Sequence, residues 1–489
     1  MRPAALFAAA ALAACNPLHT AQRPEDVDLG DRLPAGWQQP PGAVEAPDRW
    51  WAAFGDAGLE TALDRLLAEN LDLVQAWARL QQARAIAEQQ GAPLWPQVNA
   101  QGTAGASRVY TPSIALGPTG PVTTIEPSVV ESYGLSLAAS YELDLWDRLG
   151  ATARAAELDA RASRLDYEAL AISLTAQAAD LWFALVEQRA TEALLQSQIE
   201  TNETLLGLMR FRFAEGLAAA ADVLQQEQLL LTTRRQLPAV QARRATLEHQ
   251  LALLLGRPPA QGVALAGGTD ALPAPPPLPA AGLPSALLDR RPDLRAARLR
   301  VTAADERVGA ALAARLPSLT LSASTGFQAD SFGDLIDRWV WSLAGQIIAP
   351  LVDGGRRRAE VERTRAVLAG ALAAFVQTSL RAFGEVEDAL VLAARQAETI
   401  ERLEAELEVG RALLEQARAR YTEGLTDYLP VLTALQGVQR AEIGLLAARR
   451  LRLSYHIQLY RALGGRWTDD LAPARLDVGA AAAREGDPT

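Results

Sequence analysis

The octet Arg210-Phe211-Arg212-Phe213-Ala214-Glu215-Gly216-Leu217 recurs 208 positions later as Arg418-Ala419-Arg420-Tyr421-Thr422-Glu423-Gly424-Leu425. Both copies read Arg-x-Arg-aromatic-x-Glu-Gly-Leu. Each closes a proline-free run, one starting near Gly150 and the other at Arg356. At ~1.5 Å per residue such runs predict helices of ~100 Å. A glycine just past a helix end permits the left-handed residue that reverses the chain. The sequence therefore predicts two long helices that turn back at a glycine, built to one plan.

Upstream of each octet the apolar spacing supports this. Leu195, Ile199, Asn202, Leu206, Met209 and Phe213 in one half match Leu403, Leu407, Gly410, Leu414, Ala417 and Tyr421 in the other. Steps alternating between four and three residues are a coiled-coil seam, and its small or polar members suit tight, partly wet packing. Return helices are predicted from about Asp222 to Leu255 and from about Tyr428 to Leu463, with Pro238 expected to kink or interrupt the first.

Before each long helix the period changes from about 3.6 to 2. Tyr133, Leu135, Leu137, Ala139, Tyr141, Leu143 and Leu145 alternate with Gly134, Ser136, Ala138, Ser140, Glu142 and Asp144. Leu319, Leu321, Ala323, Thr325 and Phe327 alternate with hydroxyl residues. A weaker strand runs from Val98 to Ala106, and a fourth from Trp339 to Ile347. Tyr110–Val130, rich in Pro and Thr, is expected to be the loop of the first strand pair, and 330–338 a shorter acidic one. A half-buried sheet in a soluble domain also alternates. Strands of about ten residues with aromatic ends instead fit a transmembrane β-barrel. Four strands cannot close a barrel, and an open edge in lipid leaves backbone groups unpaired, so further copies must complete it.

Each strand pair follows a helical segment, 58–90 with a break near Asn70 and another starting near Ser285. Asp72 aligns with Asp293, Pro96 with Pro317 and Gly105 with Gly326, all at one offset. The implied division is 1–14 signal peptide, 15–57 anchor and extended arm, and 58–255 first repeat, with a β-hairpin at about 97–146 and a helical hairpin at about 150–255. A Pro-rich connector at 256–284 leads to the second repeat at 285–467, with a β-hairpin at about 318–351 and a helical hairpin at about 356–464. A flexible tail at 468–489 ends the chain.

The formal charge of −11 leaves no basic surface for nucleic acid. The N-terminal apolar run Leu6–Ala14 is too short to span a bilayer and suits a secretory signal. Cys15 is the only cysteine, which excludes an intramolecular disulfide and a cysteine-based metal site. Leu12-Ala13-Ala14-Cys15 resembles a bacterial lipobox, whose cysteine is acylated, and Asn16 at the next position favours the outer membrane. No cofactor or metal is expected beyond that covalent lipid on Cys15.

Taken together, the chain resembles TolC-like outer-membrane efflux proteins of the NodT-type lipoprotein branch, over about residues 49–467. The resemblance rests on Arg49-Trp50-Trp51 with Phe54, the stretch from Asn70 to Arg84, Leu287 to Leu294, Pro350 to Arg356, the two octets, and Leu459 to Gly465. It implies a mixed, mainly α fold. As a homotrimer, duplicated helix-strand-strand-helix units form a 12-stranded transmembrane β-barrel continued by a long periplasmic α-helical coiled-coil barrel. It implies a periplasmic adaptor and an inner-membrane pump, often proton-driven, as partners. The implied role is the outer-membrane exit duct of a tripartite efflux system for small molecules such as drugs. A protein-secretion channel is the alternative, and a structural or adaptor lipoprotein a further one.

By the same resemblance the octets lie at the periplasmic tips. Arg210, Arg212, Phe213, Gly216, Leu217, Arg418, Arg420, Tyr421, Gly424 and Leu425 are candidates for adaptor docking, although capping and packing of a hairpin would use the same residue types. Asp427, Leu429 and Thr433 are the gate candidates. Family members often place an aspartate where this chain has Thr433. The second hairpin is the expected moving gate and the first the fixed wall. Glu142 and Asp144 are expected to face the lumen and favour cations. His19, His249 and His456 lie apart, with no catalytic or metal-binding spacing, and no enzyme is expected.

Overall fold

The structure, a computed structural model, describes residues 19, 29–44, 47, 49–117, 120–261 and 271–475. The expected signal peptide, 1–14, and Cys15 lie outside the described residues. In chain order the elements are α1 (Ala57–Glu69), α2 (Leu71–Gly91), β1 (Gln97–Gly117), β2 (Gly120–Leu143), α3 (Arg148–Ala214) and α4 (Ala220–Leu254). They continue as α5 (Leu287–Arg290), α6 (Pro292–Ala313), β3 (Ser318–Ala329), β4 (Trp339–Ile348), α7 (Arg356–Thr422) and α8 (Leu429–Leu463). Both long helices are 67 residues and both return helices 35.

The chain forms two compact units, and α2, α3, α6 and α7 each contribute residues to both. One comprises Gln81–Arg161 and Arg298–Ala374 with His19, and holds the sheet. Its four strands pair antiparallel in the order β1-β2-β3-β4, leaving the outer edges of β1 and β4 open. The ladders differ in length. β2–β3 pairs from Tyr133↔Ala329 to Leu143↔Leu319, and β3–β4 from Ser318↔Ile348 to Phe327↔Trp339. β1–β2 pairs all the way from Gln97↔Ser140 to Gly117↔Gly120. The expected loop Tyr110–Val130 is therefore a correction: it is a two-stranded ribbon. Its prolines are compatible with strand because an edge residue whose N–H points away from the partner loses no rung.

Register sorts the sheet into two faces. Leu135, Leu137, Leu321, Trp339, Trp341, Leu343 and Ile347 share the apolar face and are exposed in the single chain. Gln97, Asn99, Gln101, Thr103, Ser136, Ser140, Ser322, Ser324, Ser342 and Gln346 share the other. Ser324 and Ser342 Oγ atoms bridge two strands at 2.9 Å on that side. Gly326 is required by close approach, since a Cβ there would lie 2.3 Å from the Leu135 carbonyl oxygen.

Below the sheet α3 starts from a strained corner. Asp147 has φ 57°, and Arg154 holds it by a fork to its carboxylate while reaching Glu306 of α6 at 2.9 Å. At the matching corner before α7 the same problem is met by glycine, Gly354 at φ 64° and Gly355 at φ 86°, with Asp353 accepting from the Gly355 and Arg357 amides. Val308, Ala311 and Leu312 of α6 pack on Val361 of α7.

The other unit comprises Leu29–Leu80, Ala162–Ala297 and Phe375–Thr489. Its aromatic core explains the Arg49-Trp50-Trp51 stretch: Trp50 stacks on Tyr460 at 5.4 Å, Trp51 meets Trp467 edge-on at 5.1 Å, and Phe54 meets Phe183 at 5.2 Å. Asp56 caps α1 through the Leu59 amide and also accepts from the Trp182 indole. Asn70 separates α1 from α2, accepting from the Asp72 and Leu73 amides and donating to the Leu254 carbonyl. The buried Arg291 guanidinium bonds Asp293, Glu385 and the Ala462 carbonyl, which binds the start of α6 to α7 and α8.

Two further expectations need correction. α4 is not interrupted at Pro238, whose missing N–H leaves the Arg234 carbonyl on an exposed turn where water can serve it. The segment after Trp467 is not free: Tyr167 donates to the Ala472 carbonyl, and the Ala474 and Arg475 amides bond Tyr167 and the Ala68 carbonyl. A buried aromatic hydroxyl needs partners, and the tail supplies them. Residues 476–489 lie outside the described residues.

Candidate functional site at the hairpin tips

Both octets end in the same turn. Leu217 N–H donates to Arg212 O at 2.7 Å and Gly216 N–H to Phe213 O at 3.0 Å. In the second copy Leu425 donates to Arg420 at 2.9 Å and Gly424 to Tyr421 at 3.1 Å. This six-to-one and five-to-two pattern is the Schellman motif, and both glycines sit at φ 74°, a region that disfavours side chains. An apolar residue after the glycine ordinarily packs back on the last helical turn. Here the position it would cover is an arginine, and Leu217 and Leu425 each remain 64% exposed.

The aromatic position before each turn behaves differently in the two copies. Phe213 is 49% exposed, whereas Tyr421 is 8% exposed. Tyr421 turns toward the first hairpin: its hydroxyl donates to Met209 Sδ at 3.4 Å and the Arg212 guanidinium lies 4.8 Å from its ring. Tyr421 is thus buried within the chain, a correction to its expected role as a docking surface. Arg210 pairs with Glu227, so one octet cation is partly neutralised within its own hairpin.

Behind the tips a polar network crosses from one hairpin to the other. Asn202, fully buried at a seam position, donates to Thr233 Oγ1 at 3.1 Å and accepts from Gln439 Nε2 at 3.1 Å. Gln226 Nε2 donates to the Asn202 carbonyl at 3.0 Å, and Gln226 Oε1 accepts from the Tyr428 hydroxyl at 2.7 Å. Gln198 reaches the Gln439 carbonyl and Glu442. Tyr428 packs edge-on against Tyr421 at 5.3 Å, and burial pushes its hydroxyl up to about 12. Away from water such bonds are strong, and any partner left alone is costly. The seam spacing marks Asn202; nothing in the sequence pattern marks Gln226, Gln439 or Tyr428 as its partners.

The gate candidates lie on the opposite, open side. Asp427 and Leu429 are exposed, and Thr433 lies on the same helix face as Leu429, its hydroxyl turned back to the Leu429 carbonyl at 2.9 Å. Leu429, Pro430, Thr433 and Gly437 of α8 line a shallow groove with Gly410 and Leu413 of α7.

The two barrel acids do not act together. Glu142 lies on the hydroxyl face at the end of β2 and is held by Arg148 at 2.7 Å. Asp144 is past the strand and accepts from the Arg148 and Gly150 amides at 2.7 Å, capping α3. A helix start draws a carboxylate more strongly than an open lumen does. The lumen-side acids expected from alternation are therefore one ion-paired glutamate and one helix cap.

Comparison with known proteins bears on the family and the fold. The sequence matches the family described as outer membrane efflux protein over residues 62–257 and 283–465. It is 33% identical over 458 residues to the pyoverdine export outer membrane protein OpmQ of Pseudomonas aeruginosa, spanning 91% of this chain and 94% of that one. It is 30% identical over 478 residues to the outer membrane protein OprJ of the same species, spanning 95% and 96%. The fold superposes on the outer-membrane channel OprN with a TM-score of 0.83 at 29% identity, covering 91% of this chain and 99% of that one. For the outer membrane protein VceC of Vibrio cholerae the TM-score is 0.76 at 25% identity, covering 86% and 99%. This chain belongs to the outer membrane efflux protein family and is an outer-membrane channel of an efflux system.

Proposed function

We propose that three copies of the chain close a 12-stranded barrel and that their helical hairpins form one periplasmic duct. The observation that carries this is a four-stranded sheet with an apolar outer face and two open edges, which lipid does not tolerate. The apolar residues Val367, Leu380, Val391 and Leu392 of α7, exposed in a single chain, supply further surface for neighbouring copies. A periplasmic adaptor docks at the tips, where Leu217, Leu425 and Phe213 present apolar surface beside arginines. An inner-membrane pump, of the proton-driven kind, delivers small molecules through that adaptor. Asp427, Leu429 and Thr433 of three copies ring the entrance, and opening splays the second hairpin away from the first. Cys15 carries the lipid. His19, four residues later, bonds Asp305 on the helix leading into β3, which leaves at most ~14 Å of chain to reach the membrane.

The test pairs single cysteines across the open edges. Introduced at Gln97–Gln101 and at Ala344–Ile348 in one chain, they are expected to crosslink into trimers in outer-membrane fractions. Monomeric or only intramolecular products reject the closure. Adaptor pull-down with Leu217→Asp and Leu425→Asp tests docking separately, and retention of full binding rejects it.

A further inference from the structure

The β1–β2 ribbon continues well beyond the last rung that β2 shares with β3. From Ser107↔Val130 to Gly117↔Gly120 it has no third strand, and at ~3.4 Å per residue it extends ~35 Å. Its register gives it one mainly apolar face and one mixed face that carries most of its hydroxyls. Tyr110, Pro112, Ile114 and Leu116 share one face with Pro121, Thr123, Ile125, Pro127 and Val129. Thr111, Ser113 and Ser128 share the other with Val109 and Val130, and there the Thr111 and Ser128 hydroxyls approach to 3.5 Å. The apolar residues are exposed, Leu116 at 91%. From Val109 to Val130 the sequence holds one charged residue, Glu126.

Which face is apolar is the informative point. Counting along the ladder, Tyr110, Ile114 and Leu116 fall on the same side as Tyr133, Leu135 and Leu137, the lipid-facing stripe of the sheet. The hydroxyl side is the one continuous with the lumen. Between stripe and ribbon lies a polar belt on that same face: Arg108, its guanidinium 6.0 Å from the Tyr110 ring, and Glu131, which accepts from the Tyr133 hydroxyl. Such a belt fits the headgroup level. A ribbon that leans outward above it turns its apolar face down onto the membrane, whereas leaning inward would turn that face up into water. The prolines at 112, 121 and 127 remove N–H groups that an added strand would use, which disfavours pairing with another ribbon.

We infer that the Ser107–Val130 ribbon lies on the outer leaflet as an interfacial element, its Tyr110, Ile114, Leu116, Ile125 and Val129 face in contact with lipid and its hydroxyl face toward water. The arrangement is the strand counterpart of an amphipathic interfacial helix. It rests on the reading of the sheet as a membrane barrel and adds a second, lateral contact with the bilayer outside the spanning band.

The test uses the full chain reconstituted in phosphatidylethanolamine–phosphatidylglycerol vesicles whose lipids carry a spin label high on the acyl chain. A fluorophore is placed on cysteines introduced singly for Ile114, Leu116, Ile125, Thr111, Ser113 and Leu343. The chain with Cys15 alone gives the background. Lipid quenching at Ile114, Leu116 and Ile125 is expected to reach at least half of that at Leu343, while Thr111 and Ser113 are quenched by aqueous iodide instead. Equal iodide quenching at all ribbon positions overturns the inference, and so does shielding of the apolar positions from both quenchers, the signature of ribbons packed on a second copy. In both cases strong lipid quenching at Leu343 leaves the barrel reading standing; its loss overturns both. Ile114→Asp with Leu116→Asp is further expected to abolish lipid quenching at Ile125.

Discussion

The two hairpin tips make the same turn and use the same aromatic position in opposite ways. Backbone bonds and glycine φ match at Gly216 and Gly424, yet Phe213 faces solvent and Tyr421 is packed on Met209 and Arg212 of the other hairpin. The flanks diverge too. After the first tip the Ala219 amide bonds Asp222, half of a capping box, so α4 starts on local terms. After the second, α8 starts at Tyr428, whose hydroxyl is bound to Gln226 of α4. The first hairpin thus carries its own termination, and the second is fastened to it. Separating the two hairpins must break these mutual contacts, whereas the Ala219–Asp222 cap of the first is local and survives the separation.

The largest effect is expected from truncating Tyr421, the aromatic residue packed between the hairpins. Tyr421→Ala is expected to destabilise the paired hairpins by about 3 kcal/mol or more, as buried aromatics do, and to raise conductance of the closed channel in planar bilayers. A tip that stays closed and stable would remove the fastening role. Next comes Asn202→Leu, which strands Gln439 and weakens Thr233, at an expected ~2–4 kcal/mol in denaturant unfolding. An unchanged midpoint would show that the hairpins are not joined there. Gly216→Ala and Gly424→Ala should each cost ~1–2 kcal/mol, and by nearly equal amounts, because the turns are the same. Unequal losses in thermal melts would show that only one turn is under strain.

Tyr428→Phe should cost about 1–2 kcal/mol by leaving Gln226 Oε1 alone. It also carries a pH signature. The folded-state value is raised, from near 10 to about 12, so the stabilisation is complete below pH 10 and is lost as pH rises toward 12. Alkaline unfolding of the wild type should show that slope and Tyr428→Phe should lack its share. Smallest in stability is Phe213→Ala, within about 0.5 kcal/mol for an exposed side chain. Its expected effect is on adaptor pull-down alone, and a large loss of stability would mean that Phe213 is not the free counterpart of Tyr421.

Much of the architecture is legible because it is written in periods. A shared offset places both repeats, alternation finds the four strands, and proline-free runs find α3 and α7. What escapes is whatever depends on a neighbour. Phe213 and Tyr421 hold one seam position, and only the packing of the second hairpin on the first decides which is buried. Gln226 and Gln439 look like solvated helix residues until Asn202 is seen between them. The ribbon from Ser107 to Val130 reads as a loop because proline usually interrupts a ladder, and only the register reveals that its N–H groups are not needed. Asp144 continues the alternation of β2 in sequence, but the demand of the α3 terminus for a cap takes it out of the strand. Of the tip residues, the glycines and leucines could be found from the octet, and the lock behind them could not.

The inner wall of the sheet has one further consequence. In its four-stranded part the side chains are mainly hydroxyls and amides, with Val340 and Ile348 among them, and the one acid of that part, Glu142, is matched by Arg148. A migrating molecule therefore exchanges single hydrogen bonds with wall and water alike, with no fixed charge deep enough to detain it. Such a wall is expected to hold anion, cation and zwitterion only briefly and to give the flux no intrinsic direction. Rectification is then expected at the other end of the conduit, and the conductance of the Tyr421→Ala channel measures whether the fastening of Tyr421 and Tyr428 contributes to it.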